Sequence, residues 1–138
     1  MNLQRLLCLG LVLLAVSGCN NPAAELSKKV TVVAWPELTA LHNPEISMPL
    51  FRGAAMNDAA TVKKTASDPK LVELVTAFEN SKIPSEFASP ARETAKAKAV
   101  EGYKKLIASS KSGGIAELRS HVQDIQKALG ELQDANLK

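Results

Sequence analysis

Three side chains in the first half of the chain are of types that bind soft or borderline metal ions. His42 is followed by Met48 and Met56, and Glu45 lies between them. An imidazole, a carboxylate and two thioethers together suit copper or a similar ion, and Pro44 can help to hold them in a non-helical arrangement. Because such sites usually contain a second histidine or dense methionine repeats, the alternative is a histidine at the surface or at a helix end, with methionines in the core.

A second histidine, His121, follows later in the chain, next to Val122 and near Glu117 and Asp124. This setting favours a salt-bridged or hydrogen-bonded histidine on a helix. A general base needs a partner nucleophile or carboxylate in a pocket. The sequence contains no Gly-x-Ser-x-Gly, His-Glu-x-x-His, glycine-rich phosphate loop or EF-hand loop. We therefore predict no catalytic residues, and an enzyme is the most distant of the hypotheses.

The start of the chain has the organisation of an export signal. A short polar segment with Arg5 precedes an almost unbroken apolar run over residues 6–16. That run is shorter than the roughly 20 residues of a membrane-spanning helix. The segment Val16-Ser17-Gly18-Cys19 resembles the bacterial lipobox, and the resemblance implies cleavage before Cys19 and attachment of lipid to that cysteine. The alternative is an ordinary secretory signal in which the cysteine occurs by chance.

The resemblance to lipoproteins also implies a location. Three acyl chains on the processed cysteine anchor a small domain to a membrane. Asn20, rather than aspartate, follows Cys19, which by the usual sorting rule of bacteria with two membranes favours the outer membrane, facing the periplasm. We predict that residues 1–18 are a signal peptide that is removed. Residues 19–34 are then the lipidated N-terminus and tether, and residues 35–138 are a helical bundle domain.

The composition of the mature chain excludes several kinds of site. About 120 residues remain after the signal, enough for one domain. The formal net charge of the full chain is only +3. This value does not indicate the strongly basic surface that binds nucleic acid. Cys8 leaves with the signal and Cys19 carries lipid, so disulfides, thiolate metal sites and cysteine nucleophiles are excluded. The many Ala, Leu, Lys and Glu residues favour an all-α domain.

Apolar spacing and helix-start signals predict four helical segments. The first, residues 35–51, contains Pro44 and Pro49, which can break it. The second, residues 58–81, is either one helix that kinks near Pro69 or a short helix before a longer one. The third begins at Ser89-Pro90 and runs to about residue 110.

The fourth segment, about residues 114–136, has the clearest pattern. Its apolar residues follow a 3-4-3-4-3 spacing that suits packing against antiparallel neighbours: Ile115, Leu118, Val122, Ile125, Leu129 and Leu132. We call this set the heptad seam. The predicted fold is an all-α, antiparallel up-down four-helix bundle with a first helix that prolines can break. The seam suits an intramolecular bundle and a coiled-coil partner equally, so the oligomeric state stays open.

Two turns resemble those of the cytochrome c′/b562-type bundle. Residues 109–118 (Ser-Ser-Lys-Ser-Gly-Gly-Ile-Ala-Glu-Leu) are similar to the turn before the last helix of that family, and residues 56–62 resemble the turn before its second helix. The resemblance covers about residues 35–137 and implies the same bundle. The c-type members attach haem through Cys-x-x-Cys-His near the end of the last helix. Here residues 125–132 read Ile-Gln-Lys-Ala-Leu-Gly-Glu-Leu, which excludes covalent haem.

A non-covalent haem would need an axial ligand, and His121 lies two turns or more too early for that. The chain therefore resembles a haem-less relative, and the activity of the family does not carry over. We expect a non-enzymatic envelope lipoprotein whose bundle is a structural or interaction module. Its partners are the membrane and possible envelope proteins, with no nucleic acid and no cofactor. The alternative is a periplasmic metal- or haem-binding bundle that uses His42, Met48 and Met56.

Several lysines can face anionic lipid or peptidoglycan, although lysines on a helix more often only solvate its outer face. The residues in question are Lys63, Lys64, Lys96, Lys98, Lys104 and Lys105.

Overall fold

The structure, a computed structural model, describes residues 35–134, and these form helices joined by turns and short loops. The predicted signal peptide and tether lie outside the described residues, as do residues 135–138. Within the described part there is no strand, which confirms the all-α prediction, and no helix there is long and apolar enough to cross a membrane. The helices are α1 (Pro36–Leu41), α2 (Pro44–Ala55), α3 (Ala59–Ala66), α4 (Pro69–Asn80), α5 (Pro90–Ser109) and α6 (Ile115–Gln133).

The predicted capping residues begin their helices. The side chain of Ser89 accepts the main-chain N–H of Arg92 at 3.2 Å, and Pro90 is the first residue of α5. Asp68 accepts the main-chain N–H of Lys70 at 2.9 Å at the start of α4. A proline in the first helical position loses no hydrogen bond, since its N–H would have no partner within the helix.

The first helical segment is broken, as predicted, but at only one of its two internal prolines. The break lies before Pro44, where Asn43 caps the start of α2 by accepting the main-chain N–H of Glu45. Pro49 lies inside α2, and the helix continues through it. Because Pro49 has no main-chain N–H, it donates no helical hydrogen bond to the carbonyl of Glu45, four residues earlier. Because Glu45 is exposed, water is available to that carbonyl.

Of the two alternatives for residues 58–81, the structure has a short helix followed by a longer one. Helix α3 ends at Ala66, and Ser67 donates its hydroxyl to the carbonyl of Lys63 at 2.8 Å. Asp68 then starts the new helix before Pro69. The Asp-Pro pair supplies a cap and a first helical residue together, which favours two helices over a single kinked one.

One apolar core connects the six helices. Helices α5 and α6 pack against each other, α2 packs on α3 and α6, and α4 packs on α1 and α5. The heptad seam faces this core: Ile115 in the first turn of α6 is half-buried, and the other five seam residues are buried. Helices α5 and α6 approach closely at Gly102, where an added Cβ would lie only 2.8 Å from Cγ1 of Ile125.

The described domain begins with a buried tryptophan. The indole Nε1 of Trp35 donates to the hydroxyl of Ser81 at 3.1 Å, and its ring lies 5.4 Å from the ring of Phe78. These contacts place Trp35, the first described residue, beside the end of α4.

Candidate functional site

The first predicted ligand, His42, caps the end of α1. Its Nδ1 lies 2.8 Å from the carbonyl oxygen of Leu38, and its Nε2 lies 2.9 Å from the side-chain nitrogen of Gln133 in α6. Because a carbonyl only accepts, Nδ1 carries the proton, and Nε2 accepts from the amide of Gln133. A metal ion at Nε2 would have to displace Gln133. His42 is thus the helix-end histidine of the alternative interpretation.

The two methionines are exposed, in contrast to the core position that the alternative assigned to them. Met48 is 58% exposed and Met56 is 66% exposed. They are eight residues apart, which places their Cα atoms about 12 Å apart along the helix. Arg52 lies between them and donates its Nε–H to the sulfur of Met56 at 3.5 Å. The structure does not gather the three predicted ligands, and the metal site at His42, Met48 and Met56 stays a prediction.

Met48 and Arg52 on the outer side of α2 form an exposed row with Met56, the residue that caps the end of this helix, and we call this row the methionine stripe. Two of its residues, Arg52 and Met56, line a groove of about 360 Å³ between α2 and α3. Gly53 lies in this groove, where an added Cβ would come within 3.0 Å of the side chain of Val62. The absence of a side chain at residue 53 therefore allows α2 and α3 to approach closely.

The opposite edge of the groove carries a negative charge. The hydroxyl of Thr61 donates to Asp58 at 2.6 Å, and its main-chain N–H donates at 3.0 Å. These hydrogen bonds hold the pKa of the Asp58 carboxyl below its usual value, and the bond from the Thr61 hydroxyl has the larger effect. The groove thus has a guanidinium on the α2 side, a carboxylate at the start of α3 and an exposed thioether beside them.

A second polar cluster joins the end of α5 to the start of α6. The hydroxyl of Ser109 donates to Oε1 of Glu117 at 2.6 Å and lies 3.3 Å from Nε2 of His121. Oε1 of Glu117 lies 3.7 Å from the same Nε2. We call Ser109, Glu117 and His121 the turn cluster. The hydrogen-bonded helix histidine predicted for His121 is confirmed, with Glu117 as one of its predicted neighbours.

The turn cluster differs from the arrangement that activates a serine nucleophile. In a Ser-His-acid triad, Nε2 takes the serine proton and the acid holds Nδ1. Here the hydroxyl of Ser109 donates its proton to Glu117, so in the hydrogen bond with His121 it is Nε2–H that donates to the serine oxygen. Ser109 precedes His121 by twelve residues on another helix, and no motif in the sequence links them.

The lysines proposed to face lipid or peptidoglycan have partners within the molecule in four of six cases. Lys104 pairs with Glu79 at 2.6 Å, and Lys96 donates to the main-chain carbonyls of Glu79 and Ser81. Lys105 and Glu101 pair at 2.7 Å, and this hydrogen bond lowers the pKa of the Glu101 carboxyl. The longest of the pairs joins Lys98 to Glu131 at 3.7 Å. Such exposed pairs stabilise little, but they place a carboxylate beside three of the six lysines.

The sequence patterns also did not indicate that Arg92, near the start of α5, is buried. Arg92 is 7% exposed and donates to the carbonyls of Phe87 at 3.0 Å and Asp134 at 2.7 Å. Its guanidinium lies 5.4 Å above the ring of Phe87. The helix-start pattern placed Arg92 in the first turn of α5 without indicating burial, because only the packing of α6 brings Asp134 to it.

Among the side chains of residues 35–134, no three or more from His, Cys, Asp and Glu are grouped as they would be around a metal ion. Neither a protein-family model, nor a curated protein, nor a solved structure matches this chain. The methionine stripe is therefore the surface on which a functional proposal can be built.

Proposed function

We propose that this chain is a lipid-anchored lipoprotein of the cell envelope whose helical domain binds another envelope protein. The anchor rests on the lipobox-like segment Val16-Ser17-Gly18-Cys19, and the proposed location is the outer membrane, facing the periplasm. A tether of residues 19–34 reaches at most about 55 Å. The domain thus stays near the membrane and meets partners there.

The anchor is tested by the mass of the mature N-terminus. Cleavage before Cys19 with diacylglycerol on its sulfur is expected, and Cys19→Ser is expected to leave an uncleaved precursor without lipid. A mature chain that begins at another residue, or a free thiol at Cys19, would contradict the anchor.

The domain is an antiparallel up-down bundle with four arms, formed by α1 with α2, α3 with α4, α5, and α6. The contacts of α2 with α3, α1 with α4, and α5 with α6 support pairing of successive arms, and those of α2 with α6 and α4 with α5 close the ring. Short turns favour antiparallel neighbours. The resemblance to haem-less cytochrome c′/b562-type bundles belongs to the same proposal.

The methionine stripe is the observation that carries the binding proposal. Within the described residues, the exposed large apolar side chains are Met48, Met56 and Val72, and the first two belong to the methionine stripe. Methionine and arginine are enriched in the buried centres of protein interfaces, and a flexible thioether adapts to varied partner surfaces. A partner that covers the stripe with apolar side chains and places a carboxylate at Arg52 would satisfy all three residues.

Photo-crosslinking in the cells that produce the protein tests this surface. A photoreactive residue in place of Met48 is expected to give a discrete crosslinked protein. The same residue in place of Val72, which is 40% exposed on α4, is the matched control and is expected to give none. Met56→Lys is expected to reduce the crosslink at residue 48. Equal crosslinking from positions 48 and 72, or none from either, would reject the methionine stripe as the binding surface.

A further inference from the structure

We propose that the partner that covers the methionine stripe is a second copy of this chain, with Arg52 of each copy paired to Asp58 of the other about a two-fold axis. This inference rests on the proposed function, because it names the occupant of the same surface. In a two-fold dimer, a contact from one residue to a second is repeated from the second to the first. The surface of one copy must therefore carry both members of each pair.

The groove beside the methionine stripe carries two opposite charges that do not pair within the chain. Arg52 and Asp58 both line this groove, and both are exposed. Neither forms an ion pair with any of residues 35–134. By contrast, four lysines of the same domain each pair with a glutamate. A guanidinium and a carboxylate on one surface are thus available to a second molecule.

The existing hydrogen bonds of both groups leave room for a further ion pair. The Nε–H of Arg52 donates to the sulfur of Met56 at 3.5 Å. The two terminal nitrogens of the guanidinium remain, and they match a carboxylate through two parallel hydrogen bonds. Each carboxylate oxygen of Asp58 accepts one hydrogen bond from Thr61. Because a carboxylate has about four acceptor positions, about two remain for the guanidinium of the second copy.

The turn between α2 and α3 holds the carboxylate in place before association. Asn57 has a φ of 56°, in the left-handed region that asparagine tolerates better than most residues. The main-chain N–H of Asp58 donates to the carbonyl of Gly53 at 2.8 Å. Arg119 of α6 donates to the side-chain oxygen of Asn57 at 3.3 Å. A surface that is ordered in advance loses less conformational entropy on binding.

The charges also determine where the two-fold axis lies. An axis at Arg52 would bring two guanidinium groups together, which like-charge repulsion disfavours. An axis between Arg52 and Asp58 pairs unlike charges twice. Met56 lines the same groove, so the exposed thioethers of the two copies cover each other near this axis. A second copy therefore supplies both the apolar cover and the carboxylate that suit the methionine stripe.

Photo-crosslinking in cells that produce two differently tagged copies of the full chain identifies the partner. With a photoreactive residue in place of Met48, we expect a product of twice the mass of the chain that contains both tags. Arg52→Asp in both copies is expected to reduce this product roughly tenfold or more, because two attractive contacts become repulsive. Asp58→Arg in both copies is expected to have the same effect.

A mixture of the two charge reversals tests the pairing itself. When one copy carries Arg52→Asp and the other carries Asp58→Arg, both contacts again join unlike charges, and the product is expected to return. The matched control is Lys82→Asp in both copies, which reverses an exposed charge in the loop after α4 and is expected to leave the product unchanged. Asp58→Asn keeps a capping oxygen for α3 but removes the charge, and is also expected to reduce the product.

Circular dichroism of the purified variants shows whether they keep their helices, and Asp58→Asn decides the outcome if Asp58→Arg loses helix content. The inference is overturned if the product does not change in Arg52→Asp or in Asp58→Asn, or if it does not return in a mixture of folded variants. A crosslinked product that contains a different protein would overturn the second copy and leave the proposed function standing. No crosslink from residue 48 would reject the methionine stripe, and with it both proposals.

Discussion

Replacing Gly102 by alanine measures how closely α5 and α6 approach each other. The new Cβ would lie 2.8 Å from Cγ1 of Ile125, and the main-chain nitrogen and Cα of Ile125 lie only 3.6 and 3.8 Å away. Ile125 is fully buried, so its side chain has little room to turn aside. Either it adopts a poorer rotamer or the helices separate locally. Overpacking of this kind costs roughly 1–3 kcal/mol.

The higher helix propensity of alanine offsets part of the overpacking cost at residue 102. A matched variant, Gly130→Ala, measures this gain separately. Alanine stabilises a helix interior by up to about 1 kcal/mol relative to glycine, and this gain applies at both positions. Gly130 lies in α6, is exposed, and would place a Cβ with no atom within 4 Å. The free energy of unfolding of Gly102→Ala is therefore expected to fall about 1–3 kcal/mol below that of Gly130→Ala.

Urea unfolding of the full chain, followed by circular dichroism, gives these free energies of unfolding. Ile125→Ala removes Cγ1, so Gly102→Ala should destabilise that variant less than it destabilises the wild type, as a double-mutant cycle measures. If Gly102→Ala is as stable as Gly130→Ala, the close approach of α5 and α6 at Gly102 is refuted.

The remaining predictions concern helix ends and use the same unfolding assay. Ser89→Ala removes the cap of α5 and is expected to cost about 1 kcal/mol, whereas Ser89→Asp keeps an acceptor and the stability. Arg92→Met removes the guanidinium that holds the carbonyl of Asp134 and is expected to cost about 2 kcal/mol and to speed hydrogen exchange at the end of α6. Unchanged exchange there would contradict this role. The folded-state pKa of Asp58 is depressed by Thr61, so its stabilising effect is complete above its unfolded pKa and is lost as the pH falls through the folded pKa. Below about pH 4, the wild type is therefore expected to lose more stability than Asp58→Asn, and equal losses would contradict the argument.

Local features of the fold follow directly from the sequence. Ser89-Pro90 and Asp68-Pro69 start helices because a capping oxygen and a preset proline act within a few residues of each other. The heptad seam is buried, apart from the half-buried Ile115, because its spacing places the apolar side chains on one face of α6. The sequence left two choices open, the position of the break near Pro44 and Pro49 and the single or double helix at residues 58–81.

The functional surfaces were less accessible to sequence reasoning. Methionine is apolar enough for the core, so its type alone does not separate buried from exposed positions. Met48 and Met56 are exposed because other residues of α2, including Leu50 and Ala54, supply the face of this helix that is buried in the core. Likewise, nothing in the spacing of Ser109 relative to His121 indicates that the turn between α5 and α6 brings them to 3.3 Å.

By itself, the sequence determined the all-α class, most helix starts and the buried face of α6. These depend on interactions within a turn or two of helix, which residue type and spacing specify. Only the tertiary structure decided which polar groups meet. It brings Arg92 to Asp134, His42 to Gln133, and Ser109 to Glu117 and His121. Those contacts join separate helices, and they depend on how closely and at what angle the helices pack.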